Sequence, residues 1–205
     1  MLQILADGPL PTDFGDFHLY LFKYPGKFHE HVAMTFGEVE KERDCVIRVH
    51  SACVTGEIFR ANNCDCRQQL DDALRFIVEY GRGALLYLDQ EGRGNGLEAK
   101  LKTFDLIVNQ GIDPHNAFKQ MGYPADLREY SVAAEMLSLL RINYPVKILT
   151  NNPQKVYDLK KAGVKILERI DSLVLPKNEM MRKNFLSKRD ELGHSLPKDL
   201  GGESK

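Results

Sequence analysis

Three of the four cysteines stand within one polar stretch, CVTGEIFRANNCDCRQQL, residues 53–70. Zinc takes thiolate or imidazole ligands at tetrahedral angles. Cys64 and Cys66 are too close in sequence for a relaxed helix to aim both thiols at one point, but a turn or extended link can do so. Cys53 must return from a loop, and Gly56 gives the chain that freedom. Three ligands leave a fourth position. Water there makes a catalytic zinc, because the bound water ionises near neutral pH. A distant ligand such as His50 would make a structural zinc instead, and three unrelated thiols remain a further reading. A metal-free redox pair fits less well, since C-x-C lacks the C-x-x-C form. Cys45, in the apolar run CVIRVHS, reads as a core residue.

Two loops are suited to an anion. ALLYLDQ-EGRGNG-LEAKLKTF reads as strand, glycine loop, helix. Gly92, Gly94 and Gly96 allow close backbone approach to a ligand, and Arg93 adds a fixed charge. The spacing is neither the dinucleotide fingerprint nor a P-loop. VKIL-TNNP-QKVYDLKKAG repeats the logic, with Thr150 after a strand and Lys155 near a helix start. Taken singly, an ordinary strand–helix turn explains the first loop. A plain Asn152 cap with a solvated Lys155 explains the second. In CVIRVHS, alternation puts Arg48 and His50 on one face and Ile47 and Val49 on the other. The polar pair would face the metal or its substrate, or else mark a solvent-facing strand edge.

These residues need a scaffold. FHLYLFKY, HVAMTFGEV and CVIRVHS are short branched or aromatic runs, so the first third reads as β-rich. After residue 66, helices and strands alternate. RQQLDDALRFIVEYG is helical up to Gly81, ALLYLDQ is a buried-type strand, and LEAKLKTFDLIVNQ reads as one helix ending at Gly111. REYSVAAEMLSLLR and QKVYDLKKAG read as helices, VKILT and VKILERI as strands. The fold class is α/β, a mixed β-sheet with packed helices. Residues 1–175 form one catalytic-sized domain, and 176–205 a peripheral, partly disordered tail. The 205 residues are 43% apolar and 28% charged, with a net charge of -1. No bulk field draws in nucleic acid or membrane. No apolar run approaches bilayer length, and the N-terminus lacks the pattern of a secretory signal. Four cysteines, three of them clustered, do not make a disulfide framework, so the expected location is the cytoplasm.

Together RVHSACVTG, CDCRQQL, QEGRGNGL, PADLREY and LTNNPQKV, in that order, resemble the GTP cyclohydrolase II family over about Pro11 to Arg169. The resemblance implies that family's own α/β fold, a homodimer, and an enzyme that opens the guanine imidazole ring of GTP. The products implied are formate, pyrophosphate and a diaminopyrimidinone ribonucleotide of riboflavin synthesis. It implies that Cys53, Cys64 and Cys66 hold one zinc ion, with magnesium accompanying the GTP phosphates. Arg48, Val49, His50, Ser51, Ala52, Gln69, Glu91, Gly92 and Arg93 would line the nucleotide site. Thr150 and Lys155 would hold its ribose-phosphate end. Asp126 corresponds to the family's proposed base, and Arg128 to its proposed nucleophile toward the α-phosphorus. An arginine stays protonated, so charge stabilisation is the plainer use of Arg128. In an extended PADLREY, Asp126 and Arg128 would share a face; a cap and its ion pair is the simpler alternative.

The sequence also departs from the family. Ala52 replaces an acid, Asn63 an arginine and Arg67 a glycine, Phe104 stands for a tyrosine, and Pro114 for a threonine. Core packing would equally explain Phe104, because Leu97, Leu101, Phe104 and Val108 form one helical stripe. Two further functions stay open: a paralogue that opens GTP or a related purine nucleotide yet retains the formyl group, and a non-catalytic zinc-stabilised nucleotide-binding protein.

Overall fold

Branched and aromatic residues at alternate positions build an antiparallel meander from the start of the chain. The computed structural model describes residues 1–41, 44–172 and 174–196. β1 (Gln3–Thr12), β2 (Gly15–Lys23) and β3 (Glu30–Phe36) pair antiparallel, and β3 pairs antiparallel with β5 (Gly83–Leu88). β1 occupies a stretch in which the sequence pattern indicated no strand. From β5 onward the sheet turns parallel, through β4 (Val46–Ser51) and β6 (Val146–Leu149) to β7 (Ile166–Ile170). Among the described residues the order is β1-β2-β3-β5-β4-β6-β7, a mixed sheet as expected. β4 is therefore central, which excludes a solvent-facing edge for Arg48 and His50.

The alternation in β4 sorts its side chains onto two cores. Ile47 and Val49 pack with Ala133, Met136 and Leu137 of α6 (Ser131–Leu139) and Leu159 of α7 (Pro153–Lys161). Val46 packs on the other face with Ala73, Leu74 and Ile77 of α2 (Cys66–Tyr80). Arg48 and His50 share the Val46 face, where apolar packing gives way to polar contacts. Cys45 is fully buried in the first core, and burial pushes its thiol pKa up.

Between β4 and α2 lies one short turn of helix, α1 (Val54–Glu57). The helix expected after the glycine loop is instead two, α3 (Gly96–Lys102) and α4 (Phe104–Val108). The buried Thr103 lies between them, and its hydroxyl donates to the Lys100 carbonyl at 2.7 Å, competing with the backbone ladder. The break changes the stripe. Leu97, Leu101 and Val108 are exposed, so core packing does not account for Phe104. A further helix, α5 (Pro114–Gln120), follows with Asp113 as its cap.

Of residues 176–205, read from sequence as a peripheral tail, 197–205 lie outside the described residues. The remainder contains α8 (Glu179–Leu192), capped by Asn178, whose side chain accepts from the Met181 N–H. Met181 and Phe185, one turn apart, bury against Val174 in a small third core. Two apolar anchors among many charges are a weak periodic signal, which is why the composition read as a tail.

Candidate active site

Three loops leave the carboxyl ends of adjacent parallel strands. Ala52 and Cys53 follow β4, Gln90 to Arg93 follow β5, and Thr150 to Asn152 follow β6. From β4 the chain crosses to β5 on one side, and from β5 it returns to β6 on the other. Such a reversal opens a crevice at the strand ends, where open α/β sheets bind ligands. Two adjoining chambers occupy it. Ser51, Cys66, Arg128, Lys188 and His194 line both.

The first chamber holds the cysteines. Cys53 precedes α1, Cys64 lies in the following turn, and Cys66 opens α2. Their sulfurs lie within 4.8 Å of one another, and no histidine or carboxylate joins the group among the described residues. Cys53 Sγ and Cys64 Sγ are 3.8 Å apart. Two thiolates at tetrahedral angles on a zinc with ~2.3 Å bonds would be separated by about that distance. The cradle is tight: a Cβ on Gly56 would sit 2.5 Å from Cys64 Sγ. Hydrogen bonds from the Cys64 and Cys66 thiols push the Cys53 thiol down, helped by Lys100, whose Nζ lies 3.1 Å from Cys53 Sγ. Cys64 is pushed up to about 11 by its bond with Cys53. The residues present fit a metal ion with one position left open.

Around the cysteines the polar groups are fixed. Glu91 accepts from the Val54 N–H at 2.6 Å and from Lys100 Nζ at 2.7 Å, so it braces α1 and α3. His50 does not reach the sulfurs. Its Nε2 is paired with Glu57 Oε1 at 2.8 Å, while Tyr87 donates to Glu57 Oε2 at 2.6 Å. Burial lowers the His50 pKa, and the buried His50–Glu57 pair with the half-buried Tyr87 ties β4 and β5 to α1. Gly94 has φ 84 and a Cβ there would sit 3.0 Å from the Leu127 carbonyl carbon, and the Leu127 N–H donates to the Arg93 carbonyl at 2.8 Å. The glycine loop thereby positions the PADLREY segment.

The second chamber is cationic. Arg48, Arg128, Lys155 and Lys188 line it against one lining carboxylate, Asp65. Arg48 donates to the Leu149 carbonyl at 3.0 Å and to Gln69 Oε1 at 2.5 Å, and Gln69 in turn donates to Asp65. Lys155 is buried rather than solvated. Its Nζ donates to the Val49 carbonyl at 2.7 Å and lies over the Tyr130 ring. Val49 thus contributes its backbone, while its side chain stays in the core. Burial, then Arg48 and Arg128, push the Lys155 pKa well down. Asn152 does cap α7, accepting from Gln154 N–H, and Thr150 is buried beside it. Among the described residues, Arg48 Nε, Arg93 Nη1 and His194 Nε2 are buried without a hydrogen-bond partner. Buried donors of this kind call for a polar, anionic ligand.

Asp126 and Arg128 share a face, as the extended reading requires. Arg128 donates through Nε at 2.9 Å and Nη2 at 2.5 Å to the carboxylate. Burial opposes the Arg128 charge, but Tyr130 and Asp126 outweigh it and hold its pKa above the usual range. Burial acts against Asp126 too, yet Arg128 keeps its carboxyl below the usual range. Arg128 faces both chambers. Asp126 lines neither chamber but a third hollow that shares Arg128 with them, and so reaches them through Arg128. Arg93 is lowered to about 10 by burial and by Arg128.

Sequence reasoning missed Lys100, Glu57, Asp65, Lys188 and His194. Lys100 had one usable signal, its place one turn after Gly96. The others become site residues only through contacts across the fold. Among the described residues, no helix is long and apolar enough to cross a membrane.

Three thiols that could hold a metal, beside a cationic chamber at the switch point of a mixed α/β sheet, suit a hydrolase acting on an anionic substrate. Family comparison narrows this: the pattern described as GTP cyclohydrolase II matches residues 3–171, and the chain belongs to that family of hydrolases. It is similar to the GTP cyclohydrolase-2 of Hahella chejuensis, 42% identical over 94% of this chain and 91% of that one. The GTP cyclohydrolase-2 of Histophilus somni is 39% identical over 95% and 89%. The riboflavin biosynthesis protein RibBA of Aquifex aeolicus is 37% identical, over 95% of this chain but 47% of that longer one.

Proposed function

We propose that this chain opens the imidazole ring of GTP with release of pyrophosphate and formate and feeds riboflavin synthesis. The observation that carries this reading is the pair of adjoining chambers with shared walls. One offers a thiolate metal cradle for the base, and the other offers buried cations for a polyphosphate. Cys53, Cys64 and Cys66 would hold zinc, which when bound supplies Lewis-acid activation of water for hydrolysis at C8. Lys100 and Glu91 keep the first sulfur and the metal loop in place. Arg48, Lys155 and Thr150 bind the phosphate end, with magnesium on the phosphates. Arg128, held charged by Asp126, stabilises the charge that develops at the α-phosphate. In this reading residues 1–175 form the catalytic domain, the enzyme is a homodimer, and its free cysteines suit a cytoplasmic setting. Incubation with GTP and identification of products by mass spectrometry tests the proposal. Recovery of unchanged GTP, with zinc bound, would leave a nucleotide-binding protein.

Lys155→Ala should weaken GTP binding roughly 10- to 100-fold, as expected for loss of a charge-assisted contact. Isothermal titration would show it. Unchanged affinity would reduce the TNNP loop to a helix cap.

A second reading has its own observation. Ala52, Asn63, Phe104 and Pro114, four of the five departures from the family pattern, all line the metal chamber. Phenylalanine keeps the packing of a tyrosine and lacks its hydroxyl. Hydrolysis of a formamide needs an oriented water and a proton for the leaving nitrogen, and Ala52 offers no carboxylate to help. In this reading ring opening survives and the product keeps its formyl group, wholly or in part. Formate would then fall short of pyrophosphate, and Phe104→Tyr would raise the ratio. Equal amounts from the unmodified protein would return the chain to ordinary riboflavin synthesis.

A further inference from the structure

The C-terminal segment has a place in the site that its composition did not announce. Along α8, Asn178 donates to the Asn62 carbonyl at 2.9 Å and Asn184 to the Asn63 carbonyl at 3.2 Å. Lys188 Nζ then pairs with Asp65 Oδ1 at 2.6 Å. These contacts follow the loop that carries Cys64. Beyond Gly193, which ends the helix at φ 65, the Ser195 N–H donates to the Asn151 carbonyl at 2.9 Å. The segment is therefore strapped to the metal loop at one end and to the TNNP loop at the other.

We infer that Lys188 and His194 are substrate-binding residues that complete the polyphosphate site and select nucleotides by their phosphates. Both residues line the metal chamber and the cationic chamber, so they stand where a substrate spanning the two must pass. Lys188 has three donors and spends one on Asp65. His194 Nε2 is buried without a hydrogen-bond partner among the described residues. Burial, then Lys188, Arg128, Lys155 and Arg93, lower its pKa to about 3. A ring nitrogen among four cations gains nothing from another protein cation. An entering polyphosphate supplies both the acceptor and the countercharge. The phosphate role goes beyond the residues that the family pattern identifies, and it rests on the proposed action on GTP.

The test uses the zinc-loaded full-length enzyme and its Lys188→Met and His194→Ala variants. Inhibition by inorganic pyrophosphate, inhibition by guanosine, and KM and kcat for GTP are measured for each. Each variant should weaken pyrophosphate inhibition and raise KM for GTP roughly 10-fold or more. Guanosine inhibition and zinc content should stay unchanged, and Lys188→Arg should recover most of the loss. Unchanged pyrophosphate and GTP affinities in both variants would overturn the inference. So would a lowered KM, which would make the segment an obstruction, and so would equal losses for guanosine and pyrophosphate. Lys188→Met could disturb the metal loop by unpairing Asp65. His194→Ala breaks no side-chain hydrogen bond among the described residues, so it decides the matter if zinc is lost from the first variant. Failure of the unmodified enzyme to act on GTP would overturn the proposed reaction, and binding of inorganic pyrophosphate to each protein, measured directly by isothermal titration, would still judge the segment.

Discussion

Replacing Cys64 by serine should strip the chain of zinc and of hydrolase activity together, whereas Cys45→Ser should leave both intact. Three sulfurs within 4.8 Å of one another form the cradle, and Cys45 is buried in the core behind β4. Serine is almost the size of cysteine but is a hard, weakly acidic ligand, so it does not replace a thiolate on zinc. The fall in activity should exceed the roughly 10- to 100-fold that follows loss of an outer-shell partner. Metal analysis by mass spectrometry on dialysed protein gives the zinc count. Retained zinc in Cys64→Ser, or lost zinc in Cys45→Ser, would sink the assignment. Thermal unfolding of both variants separates metal loss from misfolding. Cys45→Ser buries an extra hydroxyl and should lower stability by about 1–3 kcal/mol without touching the metal.

Arg128→Ala should lower the rate of pyrophosphate release by about 100- to 1,000-fold, the usual effect of removing one donor aimed at developing charge. GTP affinity should fall much less, because Arg48, Lys155 and Lys188 remain around the same chamber. The comparison bears on the role of Arg128. Its bidentate bond to Asp126 holds the guanidinium protonated, with no lone pair to offer phosphorus. A charge stabiliser leaves no covalent phosphoryl-enzyme. Rapid quenching with labelled GTP followed by peptide mass spectrometry should find no adduct on Arg128. An adduct there would replace stabilisation with nucleophilic attack. Asp126→Asn should give a smaller defect than Arg128→Ala, since Asp126 reaches the chambers only through its partner.

Much of the site could be read in the residues themselves, because its chemistry is local. Thiolate spacing, left-handed glycines after a strand, and a cap followed by a lysine each follow from short-range geometry. The alternation of CVIRVHS likewise placed Arg48 and His50 on one face. What neighbouring residues cannot state is which loops meet. The strand order alone brings the ends of β4, β5 and β6 together, since it depends on crossovers that bury both faces of the sheet. Thr103 broke a helix that periodicity ran straight through, and so turned Phe104 from a core stripe toward the metal chamber. His50 looked free to ligate, but Glu57 and Tyr87 engage it inside the fold. The segment after residue 176 showed only charge and two apolar anchors. Lys188 acquires meaning from Asp65, 123 residues away, and His194 is placed by the neighbouring Ser195–Asn151 backbone bond, because such contacts act through space and leave no periodic mark along the chain.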